Sequence, residues 1–179
     1  MRQRLVRFLC QHSDVIPRGL LPPSPLNALT AMSPEAITIF LHYLGLHDIA
    51  AEISQIIDTA LLNKIHVSLG PELKGHLATL TKRKEPIVFK KIDFHKWDGS
   101  SAALLKVIYH RGLNRLAKAL HPESTYLQWH IQRLIPFDEA AHLTQLCKPL
   151  DPPEAVSFLT AQIQDLLAKP LKTLSTRLP

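Results

Sequence analysis

The chain has 179 residues, of which 46% are hydrophobic and 20% charged, a composition that excludes overall disorder and suffices for one domain with its own core. Its two cysteines, Cys10 and Cys147, are far apart and form no CxxC pair, which excludes a disulfide framework and a zinc knuckle and favours free thiols. We expect no secretory signal, because Arg7 interrupts the first apolar residues, and no apolar run approaches the roughly 18 residues of a membrane span. The expected location is the cytoplasm.

The net charge of +6 at pH 7 must be located before it can be interpreted. Basic residues exceed acidic ones by three in 1–33, by three in 82–99 and by four in 100–134, whereas acidic residues are in excess by three in 34–81 and by one in 135–179. A basic patch would favour nucleic acid as a partner. This divided pattern suits docking against an acidic protein at least as well.

The first 33 residues predict an N-terminal arm. Residues 1–12 fit a short amphipathic helix that is stable only if it docks. The following segment, VIPRGLLPPSPLNALTAMSP, has five prolines in twenty residues, and because proline fixes φ and removes a backbone donor we expect no regular element there. Leu20, Leu21, Leu26 and Leu29 are expected to anchor it. One helical domain should then cover 34–168, followed by a mobile tail over 169–179.

The apolar stretch 37–80 organises the predicted fold. Its hydrophobic residues recur at helical spacing and are interrupted only by Gly45, Gly70 and Pro71. Each glycine is expected to end a helix. The predicted helices cover 34–44, 49–57, 59–69 and 71–80, with Asp48 capping the second and Ile49, Ile53, Ile56 and Ile57 forming its apolar stripe.

Residues 82–98 break the helical pattern. Pro86 interrupts the segment, and the residues after it, IVFKKIDF, are β-prone with polar residues interspersed. The segment is either a short edge strand near 87–94 or a long ordered loop.

The helical pattern returns at Ser100. The longest helix is expected to reach Leu120, and its outward residues are predicted to be Lys106, Arg111, Arg115 and Lys118. Shorter helices are expected over 126–134 and 138–146 and from Glu154 to before Pro170, capped by Asp138 and by the Asp151–Glu154 segment. The predicted fold class is therefore all-α, a single compact multi-helix domain.

Ten histidines raise the question of a metal site. Helical zinc ligation uses pairs at i, i+3 or i, i+4, whereas the closest histidine pairs considered are His42 with His47 at i+5 and His121 with His130 at i+9. Neither spacing places two imidazoles on one helix face. We therefore predict no metal site and no cofactor.

Motifs for catalysis are also missing from the sequence. The serines lack a GxSxG elbow, Cys147 has no catalytic signature around it, and no GxxxxGK or GxGxxG loop is found. Asp138 and Glu139 adjoin in sequence and are better suited to start a helix than to catalyse. The sequence predicts that the protein is not an enzyme.

The segment 82–97 combines basic and aromatic residues, as nucleic-acid-binding surfaces do. We prefer a solvated loop that its aromatic residues pin to the core, because Glu85, Asp93 and Asp98 dilute the positive charge. Its candidate contact residues are Lys82, Arg83, Lys84, Lys90, Lys91, Lys96 and Trp97.

Five short motifs occur in a characteristic order: LGL at 44–46, AAEI at 50–53, VSLGPEL at 67–73, HRGLNRLAKAL at 110–120 and LQWHIQRLIPF at 127–137. In this order the chain resembles the SctK family (YscK-, PscK-, OrgA- and MxiK-like proteins), the K-type accessory proteins of the type III secretion sorting platform. The element Arg133-Leu134-Ile135-Pro136 is similar to the late-helix ending of that family. The resemblance covers residues 36–137, and the N-terminal arm is shorter than in many members.

The resemblance implies a non-enzymatic, all-helical adaptor at the cytoplasmic face of the bacterial inner membrane. Such an adaptor bridges the inner-ring protein (SctD) to the pod protein (SctQ), which in turn carries the stator and the ATPase. We hypothesise that one partner meets the acidic segment 34–81. The other would meet a basic surface formed by the 82–97 loop with Lys106, Arg111, Arg115 and Lys118.

Two other classes compete with the adaptor. A small basic nucleic-acid-binding protein would show steeply salt-dependent DNA binding, because phosphate contacts release counterions. A secretion chaperone, usually a mixed α/β dimer, fits this mostly helical pattern poorly.

Overall fold

The computed structural model describes residues 22–82, 85, 87, 94 and 97–169, and over these residues the fold is all-α, as predicted. A 3-10 helix, Asn27–Ala31, precedes the α-helices. We number these α1 (Pro34–Ile53), α2 (Thr59–Leu80), α3 (Ser101–Leu120), α4 (Thr125–Gln132), α5 (Phe137–Leu146) and α6 (Glu154–Leu167).

Helix α1 is a single helix where two were predicted. It begins as expected, with Pro34 in the first turn and the Ser33 hydroxyl accepting the Ala36 N–H at 3.1 Å. The prediction that Gly45 ends the helix is wrong, because Gly45 is buried inside it. Since α1 ends at Ile53, Ile57 lies beyond the helix and is 94% exposed instead of inward-facing.

The reason for a mid-helix glycine is a close crossing of α1 with α3. A Cβ on Gly45 would lie 1.9 Å from the carbonyl oxygen of Ile108, and a Cβ on Gly112 would lie 1.9 Å from that of Leu41. Both contacts are with backbone, so a side chain at either position would force the helices apart. The two glycines, each costing about 1 kcal/mol of helix propensity, permit the most extensive helix contact among the described residues.

Helix α2 contains the predicted break. Gly70 has φ 72° and ψ 171°, outside the helical region, immediately before Pro71. Glycine adopts a positive φ without the steric cost that a Cβ brings. The break lets the two parts of α2 follow the core at different angles.

The buried apolar residues form two clusters, one at each end of the α1–α3 pair. The first joins the N-terminal half of α1 and the C-terminal half of α3 to α4, α5, α6 and the segment before α1. The second joins the C-terminal half of α1 and the N-terminal half of α3 to α2 and Phe94. Helices α1 and α3 are therefore the shared centre of the fold.

The predicted arm and middle segment are described only in part. Leu26 and Leu29 are fully buried, which confirms them as anchors, but Asn27–Ala31 forms a 3-10 helix where no regular element was predicted. Ile87 and Phe94 do not lie in a strand, and the rest of 87–94 lies outside the described residues. Residues 1–21 and the predicted tail from Pro170 lie outside them as well.

Three of the predicted caps are wrong, and the first of them, Asp48, is buried inside α1. Pro136 and Pro153 occupy the N-cap positions of α5 and α6, and neither helix has a side-chain cap bond. Asp138 and Glu154 lie instead in the first turns, where a carboxylate still interacts favourably with the helix dipole.

Helix α1 is also long and apolar enough to cross a membrane, with a mean hydropathy of 1.2, which corrects the expectation that no segment qualifies. However, 67% of this apolar stretch of α1 is buried inside the fold. Burial against α3 and the other helices accounts for its hydrophobicity.

Candidate functional site

Arg115 lies at the centre of the molecule and is 0% exposed, so its predicted place on an outward basic surface is wrong. The physical reason is its position on α3. Ile108, Gly112, Arg115 and Ala119 follow one another at helical spacing and are all buried. The stripe that crosses α1 therefore includes an arginine.

Each nitrogen of the Arg115 guanidinium has an acceptor. Nε donates to Asp48 Oδ1 at 2.9 Å, and Nη2 donates to the same carboxylate and to the carbonyl oxygen of Ile87 at 2.8 Å. Nη1 donates to Gln162 Oε1 at 2.6 Å and to Glu85 Oε1 at 3.4 Å. A buried arginine that is paired and fully hydrogen-bonded in this way is stable in the interior.

A second layer of the cluster connects Arg115 to the surface. The Gln162 amide donates to Glu85 Oε2 at 2.9 Å, and His47 Nδ1 lies 3.2 Å from that oxygen. His47 and Glu85 each have 10% of their side chain exposed, whereas Asp48 has 1%. We call Arg115, Asp48, Glu85, Gln162 and His47 the buried polar cluster.

The two carboxylates of the buried polar cluster have opposite pKa shifts. Burial raises the pKa of Asp48, and the charge and hydrogen bonds of Arg115 only partly offset this effect. Burial also acts to raise the pKa of Glu85, but the hydrogen bond from His47 and the charge of Arg115 outweigh it and lower the pKa. Glu85 is thus the carboxylate that the cluster holds ionised.

A cavity of about 240 Å³ opens beside the outer layer of the cluster. Its wall combines polar and apolar side chains, namely His47, Glu85, Gln162, Asp165, Ala50, Leu80, Phe158 and Ala161. The imidazole, the amide and the two carboxylates could bind a small polar or cationic group. Arg115 does not line this space but lies behind two of its wall residues, since Nη1 donates to Gln162 and Glu85.

The other predicted contact residues do not form one basic surface. Lys106 and Lys82 are exposed, but Arg111 and Lys118 are partly buried. Arg111 Nη1 lies 3.9 Å from Asp48 Oδ2 and so faces the buried polar cluster. Lys118 Nζ donates to the carbonyl oxygen of Lys148 at 3.4 Å.

Trp97 is held against the protein. Its indole N–H donates to the Ser100 carbonyl at 3.1 Å, and Lys64 Nζ lies 5.4 Å from its ring. This agrees with the preferred interpretation of Trp97 as an anchor of the 82–97 segment. The predicted contact residues Arg83, Lys84, Lys90, Lys91 and Lys96 lie outside the described residues.

The acidic surface predicted over 34–81 is also weaker than the sequence suggested. Of its five acidic residues, Asp48 and Glu52 are buried, which leaves Glu35, Asp58 and Glu72 exposed against the exposed bases Lys64 and Lys74. The excess of acid on the surface is therefore one charge instead of three.

A second cluster of ionisable side chains lies at the surface between α3 and α5. His110, Glu139 and His142 each place one potential metal-ligating atom within 4.8 Å of the other two. The search for close histidine pairs missed it, because one ligand comes from a different helix and another is a carboxylate. The sequence signal that could have indicated this cluster is the i, i+3 spacing of Glu139 and His142 on α5.

Sequence reasoning also missed the buried polar cluster. The sequence indicates Asp48 only as a helix cap, His47 only as one of a histidine pair with unsuitable spacing, and Glu85 only as a charge that dilutes a basic patch, and it gives no sign of a role for Gln162. The helical spacing of Ile108, Gly112 and Arg115 could have indicated that Arg115 faces a neighbouring helix.

Comparisons with family models, with curated proteins and with solved structures give no match for this chain.

Proposed function

We propose that this chain is a non-enzymatic cytoplasmic adaptor of a type III secretion sorting platform. In this role it bridges the inner-ring protein (SctD) to the pod protein (SctQ) at the cytoplasmic face of the inner membrane. The observation that supports the proposal is that the motifs carrying the resemblance to the SctK family lie at the positions that determine the fold.

Three of those motifs supply the central contacts. Gly45 of the LGL motif packs against the backbone of HRGLNRLAKAL, in which Gly112 is the reciprocal close contact. Arg115 of the same motif binds Asp48, three residues after Gly45. The VSLGPEL motif contains the break at Gly70. A family that shares this fold would need glycine at these positions, so the motifs are what a common architecture requires.

The docking hypothesis needs a different set of residues from the one first predicted. Arg115 cannot contact a partner, because it is buried, and reversing its charge would disrupt the fold. Lys82 and Lys106 are the exposed members of the described set. They are the residues at which a charge reversal tests docking without disturbing the interior.

The test is a binding assay with the purified cytoplasmic domain of the inner-ring protein and the purified pod protein. We expect the wild-type chain to retain both partners, and the K82E/K106E variant to retain one of them several-fold more weakly, since reversed rim charges slow association. The matched control is K148E/K169E, which reverses two exposed lysines outside both predicted docking surfaces and should bind both partners as the wild type does.

Failure of the wild-type chain to retain either partner would contradict the proposal. If it instead bound DNA with a steep dependence on salt, the nucleic-acid-binding alternative would replace it.

A further inference from the structure

His110, Glu139 and His142 form a compact group that joins two helices. Glu139 and His142 are three residues apart on α5 and therefore lie on one face of that helix. His110 comes from α3, against which α5 packs. We call these three residues the surface triad.

A single carboxylate oxygen faces both imidazoles. Glu139 Oε2 lies 3.5 Å from His110 Nδ1 and 3.2 Å from His142 Nδ1. The two rings are 6.2 Å apart between centroids, at 70° to each other. With metal–ligand bonds of about 2.1 Å, tetrahedral ligands are separated by roughly 3.4 Å, so the ligand atoms need only small movements to surround one ion.

Without an ion, His142 Nδ1–H can donate a hydrogen bond to Glu139 Oε2 at 3.2 Å, and His110 Nδ1 lies 3.5 Å from the same oxygen. If both imidazoles were protonated, one carboxylate would have to compensate two adjacent positive charges. If both are neutral and carry their proton on Nε2, each Nδ1 offers a lone pair beside the carboxylate oxygen, and the three groups form a set of ligands. A divalent cation satisfies all three groups at once.

The exposure of the surface triad also suits a metal ligand set. The side chain of Glu139 is only 15% exposed, whereas those of His110 and His142 are 36% and 58% exposed. The carboxylate is thus fixed by its surroundings, while the imidazoles leave an open path for an ion from solvent. Two histidines and one glutamate with an open position are a ligand set that zinc accepts.

We propose that the surface triad binds one divalent transition-metal ion of the zinc class. Two imidazole nitrogens favour such ions over Mg²⁺ and Ca²⁺, which prefer oxygen ligands. The ion would link α3 to α5 and keep a fourth position for water or for a side chain of a partner. This proposal does not depend on the adaptor function.

The test uses the full chain without an affinity tag, freed of metal by a chelator. Zn²⁺ is titrated against a chromophoric competitor, and Co²⁺ is added separately to record its visible spectrum. We expect one equivalent of Zn²⁺ to bind and Co²⁺ to give the intense absorption of a four-coordinate site. H142A and E139Q should each weaken Zn²⁺ binding by at least about tenfold, a loss of about 1.4 kcal/mol.

The matched control is H121A, which removes an exposed histidine outside the surface triad and should bind Zn²⁺ as the wild type does. Circular dichroism of each variant verifies the fold. The proposal is overturned if the wild type shows no saturable binding, if H142A and E139Q bind as tightly as it does, or if H121A loses binding to the same extent.

Discussion

Helix α3 contributes one residue to each cluster of ionisable side chains, Arg115 to the buried polar cluster and His110 to the surface triad. The two clusters differ mainly in burial. Arg115 is fully enclosed, with Asp48 beside it. His110, five residues earlier, lies at the edge of the same helix, next to Glu139 and the largely exposed His142. Both clusters combine carboxylates with nitrogen donors, so burial decides what each one can do.

In the inner layer of the buried polar cluster, Arg115 and Asp48 are enclosed by protein, at 0% and 1% side-chain exposure. Removing one group leaves the others with unsatisfied charge in a medium of low dielectric constant. In the surface triad, water can hydrate any group whose neighbour is removed, so its members are free to bind an ion without the fold depending on them. The buried polar cluster therefore supports the structure, whereas the surface triad is available for a ligand.

The largest effect is expected from R115A. The variant leaves the buried Asp48 carboxyl without its main partner, with only Arg111 nearby, and should lower the free energy of unfolding by about 3–5 kcal/mol. The matched control is R111A, because Arg111 reaches the same carboxylate only at 3.9 Å and should cost less than about 1 kcal/mol. Urea unfolding followed by circular dichroism measures both.

A double-mutant cycle measures how strongly Arg115 and Asp48 are energetically coupled. Removing Asp48 as well, in D48A/R115A, should cost clearly less than the sum of the two single variants, since the penalty for an isolated charge disappears. Strictly additive losses would show that the two side chains are not energetically coupled and would contradict the assigned role of the cluster.

A smaller, pH-dependent effect is expected from E85Q, which keeps the shape of Glu85 and removes its charge. The pKa of Glu85 lies below its usual 4.5 in the folded protein, so the ionised carboxylate stabilises the folded state. This contribution is fully present above about pH 4.5 and is lost as the pH falls through the lowered pKa. E85Q should therefore be less stable than the wild type at pH 7, and the difference should shrink below about pH 4.

The contribution of Asp48 to stability depends on pH in the opposite direction. Because its pKa is raised in the folded protein, this contribution is present at low pH and is lost as the pH rises. Because the charge of Glu85 is one cause of the raised pKa of Asp48, E85Q changes the Asp48 contribution as well, and the same comparison is therefore made between D48N and D48N/E85Q, in which that contribution is absent. A stability difference that stays constant with pH, or grows as the pH falls, would contradict the assignment to Glu85.

Much of the fold could be predicted from the sequence because helical periodicity is a local property. The extent of α3, the start of α1 at Ser33 and the break at Gly70 all follow from apolar spacing and capping residues. Gly45 could not be interpreted in the same way. A glycine that ends a helix and one that permits a close crossing look alike until the crossing partner, Gly112, is placed beside it.

The clusters were harder to predict because their members are distant in sequence. Arg115, Asp48 and Gln162 meet through three helices, and an arginine between Asn114 and Leu116 is equally consistent with an outward position. Net charge by segment was misleading for the same reason, since Asp48 and Arg115 were counted on two opposed surfaces but pair with each other inside.

The smallest effect on stability is expected from H142A in the presence of a chelator. Its imidazole is 58% exposed and lies 3.2 Å from Glu139 on the same helix, and an exposed pair of this kind contributes about 0–0.5 kcal/mol. Urea unfolding of the metal-free protein should therefore give nearly the same midpoint for H142A and the wild type. A loss close to that of R115A would show that the surface triad is also structural and would remove the distinction between the two clusters.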